Sequence, residues 1–553
     1  MISEALAIAI KHHQGGRLQT AEDIYRQILA VEPNHADATH LLGLIAHQMG
    51  RHEIAVEYIG RAIALNGTMA EFHDNLGGAY RALRRMPEAA AYCRRAVELK
   101  PDDAAAHYNL GLVLNDQGKL AEAVACYRRA LELRPDYAEA HNNLGNAFKN
   151  QEKLADAIAC YYRALELRPD YAEAYSNLGA ALRGEGKLEE AIACYRRALQ
   201  LKPDNAEAHS NLGLAFVDQR RLEEAAACYR RALELKPDLA EAHFNRSFLW
   251  LLSGNFAQGW PEYECRWQAH RFAQPLWGGE ALAGKTILLH AEQGFGDTIQ
   301  FVRYAPIVKQ HGGTVILACQ KPLLALLEGC AGIDQLIAQG NALPAFDVHA
   351  PLMSLPGILK TTLDTIPAAV PYLSAPAALT EYWREKLRDV RGYRIGINWR
   401  GRPGQGSWLA RDLPLQQFAI LAEIPGVCLI SLQKGTGREE LQQARERFPV
   451  VDLGDEVDQA SGAFVDTAAI MKNLDLVITS DTSVPNLAGS LAIPVWVALT
   501  LAHDWRWLLD RSDSPWYPTM RLFRQREQGN WQGVFDDIRR ALCERLQSLR
   551  TDY

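Results

Sequence analysis

At 553 residues the chain has room for three or more domains, each with a core of its own. Its 59 basic and 66 acidic side chains leave a formal charge of −7, which argues against a general nucleic-acid binder, since such proteins carry a basic surplus to displace counterions from phosphates. No segment reaches the roughly 20 apolar residues of a bilayer span, the N-terminal MISEALAIAIKHH lacks a basic leader or a cleavage site, and the ten cysteines contain no CxxC pair; a cytoplasmic protein in a reducing compartment is expected.

The first half repeats. Pro33, Pro101, Pro135, Pro169, Pro203 and Pro237 fall on one 34-residue grid, with Gly67 at the vacant point. On it, Gly43, Gly77, Gly111, Gly145, Gly179 and Gly213 occupy the eighth position of each unit. Ala21, Ala55, Ala89, Ala123, Ala157, Ala191 and Ala225 occupy the twentieth. Small residues at these two places let the helices of a hairpin approach closely, and proline ends the second helix. Cys126, Cys160, Cys194 and Cys228 share the spacing and read as small core residues of the second helices. The pattern resembles the tetratricopeptide repeat over about residues 2–239, in seven units. It implies an α-solenoid, a right-handed superhelix whose first helices line the concave face.

The sixth position reads Asn75, Asn109, Asn143, Asn177, Asn211 and Asn245, with Leu41 ahead of them. An asparagine amide both donates and accepts, so the column can hold the backbone of an extended peptide without reading its side chains. The same column also suits helix packing. His73, His107, His141, His209 and His243 recur at the fourth position, where regular spacing favours helix contacts over metal ligation. With the stretch AEAHNNLGNAFKNQEKLADAIACYYRALELRPDYAEAYSNLG, the column resembles the repeats of the O-linked N-acetylglucosamine transferases, in which it carries the acceptor polypeptide. That likeness implies a protein or peptide partner in the groove.

From residue 240 the pattern decays, with Ser247 at the glycine site and Gly259 at the alanine site. Trp260, Tyr263 and Trp267 then mark residues 240–275 as a capping unit and junction. After Lys285 short apolar runs alternate with amphipathic segments. TILLHAEQ, TVILACQ and FDVHAPL predict the strands of a first lobe over 276–377. YRIGINWRG, VCLISLQ, DLVITSD and PVWVALT predict those of a second over 378–553, closed by a C-terminal helix. The fold class is α-solenoid followed by α/β, with two Rossmann-like lobes and ligands expected at the carboxyl ends of the strands.

Two strand ends carry candidate chemistry. After ILLH, Gly294 and Gly296 permit a tight turn and close approach of a ligand, and Asp297 begins a helix as either an N-cap or a general base. A dinucleotide fingerprint is disfavoured, because Ile299 stands where GxGxxG requires its third glycine. After LDLVITS, Asp481, Thr482 and Ser483 open the helix VPNLAGSLA, whose amides and dipole suit a diphosphate. Arg400, Arg402 and Arg411 flank the GRPGQGSW loop, Lys434 follows LISLQ, and these cations suit phosphate oxygens or a solvated loop equally.

GFGDTIQFVRYAP, SDTSVPNLAGSLAIPVW and DWRWLLDRSDSPWYPTMRLFRQ together resemble the heptosyltransferase-like, family 9 glycosyltransferases of GT-B fold, over about residues 245–545. The resemblance implies an inverting, metal-independent glycosyltransferase, with acceptor in the first lobe and nucleotide-diphosphate sugar in the second. The sugar is a co-substrate, and no cofactor or metal is implied. By motif, Asp297 takes the position of the base, and Asp481 and Thr482 fall in the donor-binding DT motif. This chain departs from the family's DTxxAHLAGALG: Pro485 and Asn486 replace Ala-His, and Ala492 the last glycine. Asn486 can bond a phosphate or sugar hydroxyl but carries no charge. Trp516 and Tyr517 either close over the donor or simply pack. The resemblance implies glycosylation of a protein captured by the groove, with a surface-appendage protein such as flagellin as one acceptor class. The alternative is an adaptor whose GT-B domain is inactive.

Overall fold

A computed structural model of the chain describes residues 2–266, 272–401 and 411–551. It divides into two compact units, Met1–Asp204 and Asn205–Tyr553. No helix of the described residues is long and apolar enough to cross a membrane.

The first unit holds six helix pairs, from Ile2–Gln14 with Leu18–Val31 to Ala172–Gly184 with Leu188–Leu201. The eighth-position glycines are required by what lies on them. A Cβ on Gly111, Gly145 or Gly179 would come within 2.6–2.9 Å of a ring carbon of Tyr127, Tyr161 or Tyr195, each of which is buried. Ala123, Ala157 and Ala191 are fully buried. Cys93 is buried, whereas Cys126, Cys160 and Cys194 are half-buried. The repeating histidines bind backbone: Nε2 of His73, His107 and His141 lies 2.9–3.1 Å from the carbonyl oxygens of Gly67, Pro101 and Pro135. A carbonyl only accepts, so each ring donates from Nε2 and ties the start of a first helix to the preceding inter-repeat turn.

The second unit begins with two further pairs, Ala206–Asp218 with Leu222–Leu235 and Ala240–Leu252 with the shortened Phe256–Tyr263. Gly259 packs on Leu251, where a Cβ would come within 2.6 Å. The Trp260 indole donates to the Thr361 carbonyl oxygen at 3.0 Å, and its ring meets Trp505 edge-on. Trp267 and Arg402 lie outside the described residues.

Two all-parallel sheets follow. The first contains β1 (Thr286–His290), β2 (Thr314–Cys319), β3 (Gln335–Ala338) and β4 (Val348–Pro351) in the order β3-β2-β1-β4. The second contains β5 (Tyr393–Asn398), β6 (Val427–Ser431), β7 (Leu476–Ser480), β8 (Val495–Leu499) and β9 (Met520–Arg524) in the order β6-β5-β7-β8-β9. Parallel strands joined through helices read as continuous apolar runs because both faces are covered. β7 and β8 are buried at every residue. The edge strands β3 and β9 escape that reading, β3 because its first residue, Gln335, is exposed and only Ile337 and Ala338 are buried, and β9 because Arg521 and Arg524 interrupt its run. One hydrophobic core joins Phe256, Trp260 and Tyr263 of the last helix pair to Ile287 and Leu289 of the first sheet and Val477 and Val495 of the second.

Candidate functional site

In the first unit the asparagine column links neighbouring repeats. The Asn75 amide lies 3.0 Å from His40 Nε2; Asn109 donates to Asp74 at 2.7 Å, Asn143 to the Tyr108 hydroxyl at 2.8 Å and Asn177 to Asn142 at 3.0 Å. Each bond spans 35 residues, so each NH2 group reaches the fifth position of the preceding repeat. In the second unit Asn245 donates to Ser210 at 3.2 Å. All six asparagines, Asn211 included, are half-buried. The amide nitrogens therefore serve the seam between repeats, and on Asn75 and Asn109 the carbonyl oxygen remains available to a ligand.

In the second unit, strand ends from both sheets meet. Gly294 and Gly296 follow β1, and neither has a positive φ. The close approach at Gly296 is to the other lobe: a Cβ there would lie 3.0 Å from Asn486 Nδ2 and 3.3 Å from Ser483 Cα. The N-cap of the helix Phe295–Phe301 is Gly294 and not Asp297, which sits at the third helical position, accepts from the Gly294 amide at 2.9 Å and ion-pairs with Arg506 at 2.5 Å.

Arg506 follows β8 and is fixed on its other side by Asp504 at 2.7 Å. Burial disfavours the Arg506 charge, but Asp504 and Asp297 outweigh it and raise its pKa. Arg411 lies 3.9 Å from Asp481 and 4.0 Å from Asp504, beyond hydrogen-bond range and 40% exposed. Burial raises the Asp481 pKa, with Arg411 opposing and Asp504 reinforcing. Burial also works against the Asp504 charge, yet Arg506 and Arg411 hold its pKa below the ordinary value. Among the described residues, Asp481 Oδ2 has no hydrogen-bond partner. Three carboxylates and two guanidinium groups thus share one patch, buried at Asp504 and Arg506 and open to solvent at Arg411.

The other expected donor residues are distributed around it. Thr482 donates to Asn398 Oδ1 at 3.0 Å and accepts from the Val484 amide at 3.3 Å. Ser483 precedes the helix Val484–Ser490 without capping it through its side chain. With the Val484 amide bonded to Thr482 and Pro485 lacking one, this helix start offers fewer free donors than its sequence suggests. Arg400 pairs with Glu440 at 2.9 Å, and Lys434 donates to the Val457 carbonyl, so neither joins the Asp481 cluster. Asn486 is buried and accepts from the Tyr517 hydroxyl at 3.1 Å. Trp516 and Tyr517 are themselves fully buried and pack around Arg303, which donates to the Trp516 carbonyl at 2.6 Å.

Sequence reasoning missed Asp504 and Arg506, although only four residues separate DWRW from the end of β8 and the rule that strand ends bear the site would have selected them. It also missed the buried amides Asn398 and Gln433. Asn398 donates to Gln433 Oε1 at 2.8 Å, and that oxygen also accepts from the Trp399 and Arg400 amides, joining the ends of β5 and β6. Asn398 reaches β7 by accepting from Thr479 at 3.1 Å.

Family models match the repeats. Residues 111–152, 145–183, 181–220 and 213–249 match the TPR repeat family, and residues 6–68, 46–104 and 92–125 match models of the tetratricopeptide repeat. The architecture is a tetratricopeptide-repeat solenoid followed by parallel α/β sheets, and the repeats give the chain the character of a protein-interaction scaffold. Protein FlbA of Caulobacter vibrioides is 29% identical over 328 residues, covering 54% of each chain. The chain therefore spans about half the length of that curated relative. Among solved structures it is similar to YrrB, described as a TPR protein with an unusual peptide-binding site (25% identity, 34% of this chain, 98% of that one, TM-score 0.29). It is also similar to pilF of Pseudomonas aeruginosa (21% identity, 38% of this chain, 96% of that one, TM-score 0.35).

Proposed function

We propose that the chain is a glycosyltransferase of GT-B type that transfers a sugar from a nucleotide diphosphate to a protein held by its repeats. The observation that carries this reading is the convergence of strand ends: Asp297 follows β1, Arg411 follows β5, Asp481 follows β7 and Asp504 follows β8, and parallel α/β sheets bind ligands at such ends. The acceptor hydroxyl attacks the anomeric carbon as the bond to the diphosphate oxygen breaks. The hydroxyl proton passes to Asp297, which the Gly294 amide and Arg506 orient while leaving lone pairs on both oxygens. Arg411, exposed and not hydrogen-bonded to either carboxylate, neutralises the departing diphosphate. No metal is required by this scheme.

The test is a thermal-shift screen of the whole protein against nucleotide diphosphates and their sugars, with Asp481→Ala alongside. A ligand at a hundred times its dissociation constant stabilises its site by about 2.7 kcal/mol. A shift confined to one nucleotide class and lost in the variant supports the donor site. A second reading, an adaptor with an inactive α/β domain, is favoured by the engagement of Lys434 with Val457 and of Asn486 with Tyr517. Binding of no nucleotide would select it.

A further inference from the structure

A cavity of about 630 Å³ lies within the first unit, among the first helices of three successive repeats: Ala36–Gln48, Ala70–Ala82 and Ala104–Asp116. Asp74 lines it from the fifth position of its repeat, where neighbouring units carry the neutral side chains of His40, Tyr108 and Asn142. Burial keeps His40 uncharged, with its pKa lowered to about 4. One Asp74 oxygen accepts from Asn109 at 2.7 Å. The other is buried and has no hydrogen-bond partner among the described residues. Of the cations lining the cavity, Arg81 is paired with Asp116 at 2.6 Å and Arg84 is exposed. A carboxylate left without a counter-charge in such a place is destabilising unless a cation is brought to it.

We propose that this cavity binds a lysine or arginine side chain of an extended protein segment, whose ammonium or guanidinium group pairs with the Asp74 carboxylate. A protein segment fits better than a small free cation because the Asn75 and Asn109 carbonyl oxygens line the same cavity. With their NH2 groups bonded to His40 and Asp74, these oxygens are the groups left to accept from backbone N–H groups on either side of the charged residue. Burial also pushes the Asp74 pKa up to about 6, as expected of a carboxylate awaiting a cation. The inference rests on the repeats being a peptide-binding scaffold and is independent of sugar transfer.

The experiment titrates the full chain with fluorescein-labelled Ser-Gly-Lys-Gly-Ser, its arginine counterpart and its norleucine counterpart at pH 7.5, read by anisotropy. The lysine and arginine peptides should bind at least tenfold more tightly than the norleucine peptide, and Asp74→Asn should abolish the difference. Equal binding of all three, a preference that survives Asp74→Asn, or no binding of any peptide overturns the proposal; none of these outcomes touches the nucleotide screen. Spermidine that binds through Asp74 while the peptides do not would assign the pocket to a free polyamine and likewise overturn it. Should Asp74→Asn fail to fold, the lysine-to-norleucine comparison on the natural chain decides alone.

Discussion

Asp74→Asn should stabilise the unliganded protein, because the native side chain is a carboxylate that the fold desolvates without pairing. Its pKa rises from 3.8 to about 6, chiefly through burial, with Asp103 and Glu71 adding to the rise and the Asn109 hydrogen bond opposing it. Each pKa unit corresponds to about 1.36 kcal/mol, so ionisation at neutral pH costs the folded state at most about 3 kcal/mol. Water on the open side of the cavity screens part of this, and about 1–2 kcal/mol is the expected gain. The sign follows from proton binding. Between pH 3.8 and about 6 the folded state holds the proton more tightly than the unfolded chain, so the Asp74 penalty grows as pH rises through that window and is complete above it. Asparagine keeps a side-chain oxygen for Asn109 and removes the charge. Hydrogen exchange of the Ala70–Ala82 helix in both proteins at pH 4 and 7.5 measures the effect. The wild-type-to-variant difference is the proper readout, because burial lowers the His40 pKa to about 4 and gives it the opposite slope, which cancels between the two. A variant equal to or less stable than wild type at pH 7.5, or an advantage that persists undiminished at pH 4, would refute the reasoning.

Gly145→Ala should destabilise its repeat by about 1–3 kcal/mol in urea melts, because the new Cβ meets Tyr161 at 2.6 Å; pairing it with Tyr161→Leu should recover part of the loss. Arg506→Met leaves Asp297 and Asp504 without their shared cation and should cost about 3–5 kcal/mol, visible as a lowered Tm of the second unit; Asp504→Asn in the same chain should restore a portion. His503 is buried beside Arg524, with its pKa lowered to about 4. Its stabilising contribution should be present above pH 6.5 and fall away as pH drops towards 4, whereas His503→Gln should lose that dependence in pH-resolved melts. Asp297→Asn should abolish transfer while leaving nucleotide binding in place, as measured by product formation alongside thermal shift.

The repeats were legible because they state their geometry many times over: one misplaced glycine would be noise, but the same glycine every 34 residues identifies a helix hairpin. Seven of the nine strands among the described residues were legible for a different reason, since strands covered on both faces are nearly unbroken apolar runs. Local sequence could not disclose which polar groups meet. Asp297 and Arg506 are separated by 209 residues, and only the pairing of two sheets brings them to 2.5 Å. Nor could it separate the two demands on each asparagine of the column, because a bond to the preceding repeat and a bond to a peptide call for the same amide. Arg400 and Lys434 were selected for their charge and strand-end position, yet Glu440 and the Val457 carbonyl, which compete for them, lie on other segments.

The shared core of the second unit constrains how this gene can be dissected or recombined. Phe256, Trp260 and Tyr263 lie on the second helix of the last helix pair, yet they belong to the same core as the α/β region. A truncation that begins at residue 276 would strip aromatic side chains from that interior and leave the Thr361 carbonyl without the Trp260 indole. An expressible fragment should begin near Asn205, upstream of the last two helix pairs. Exchange of the α/β region between scaffolds must carry the last hairpin with it.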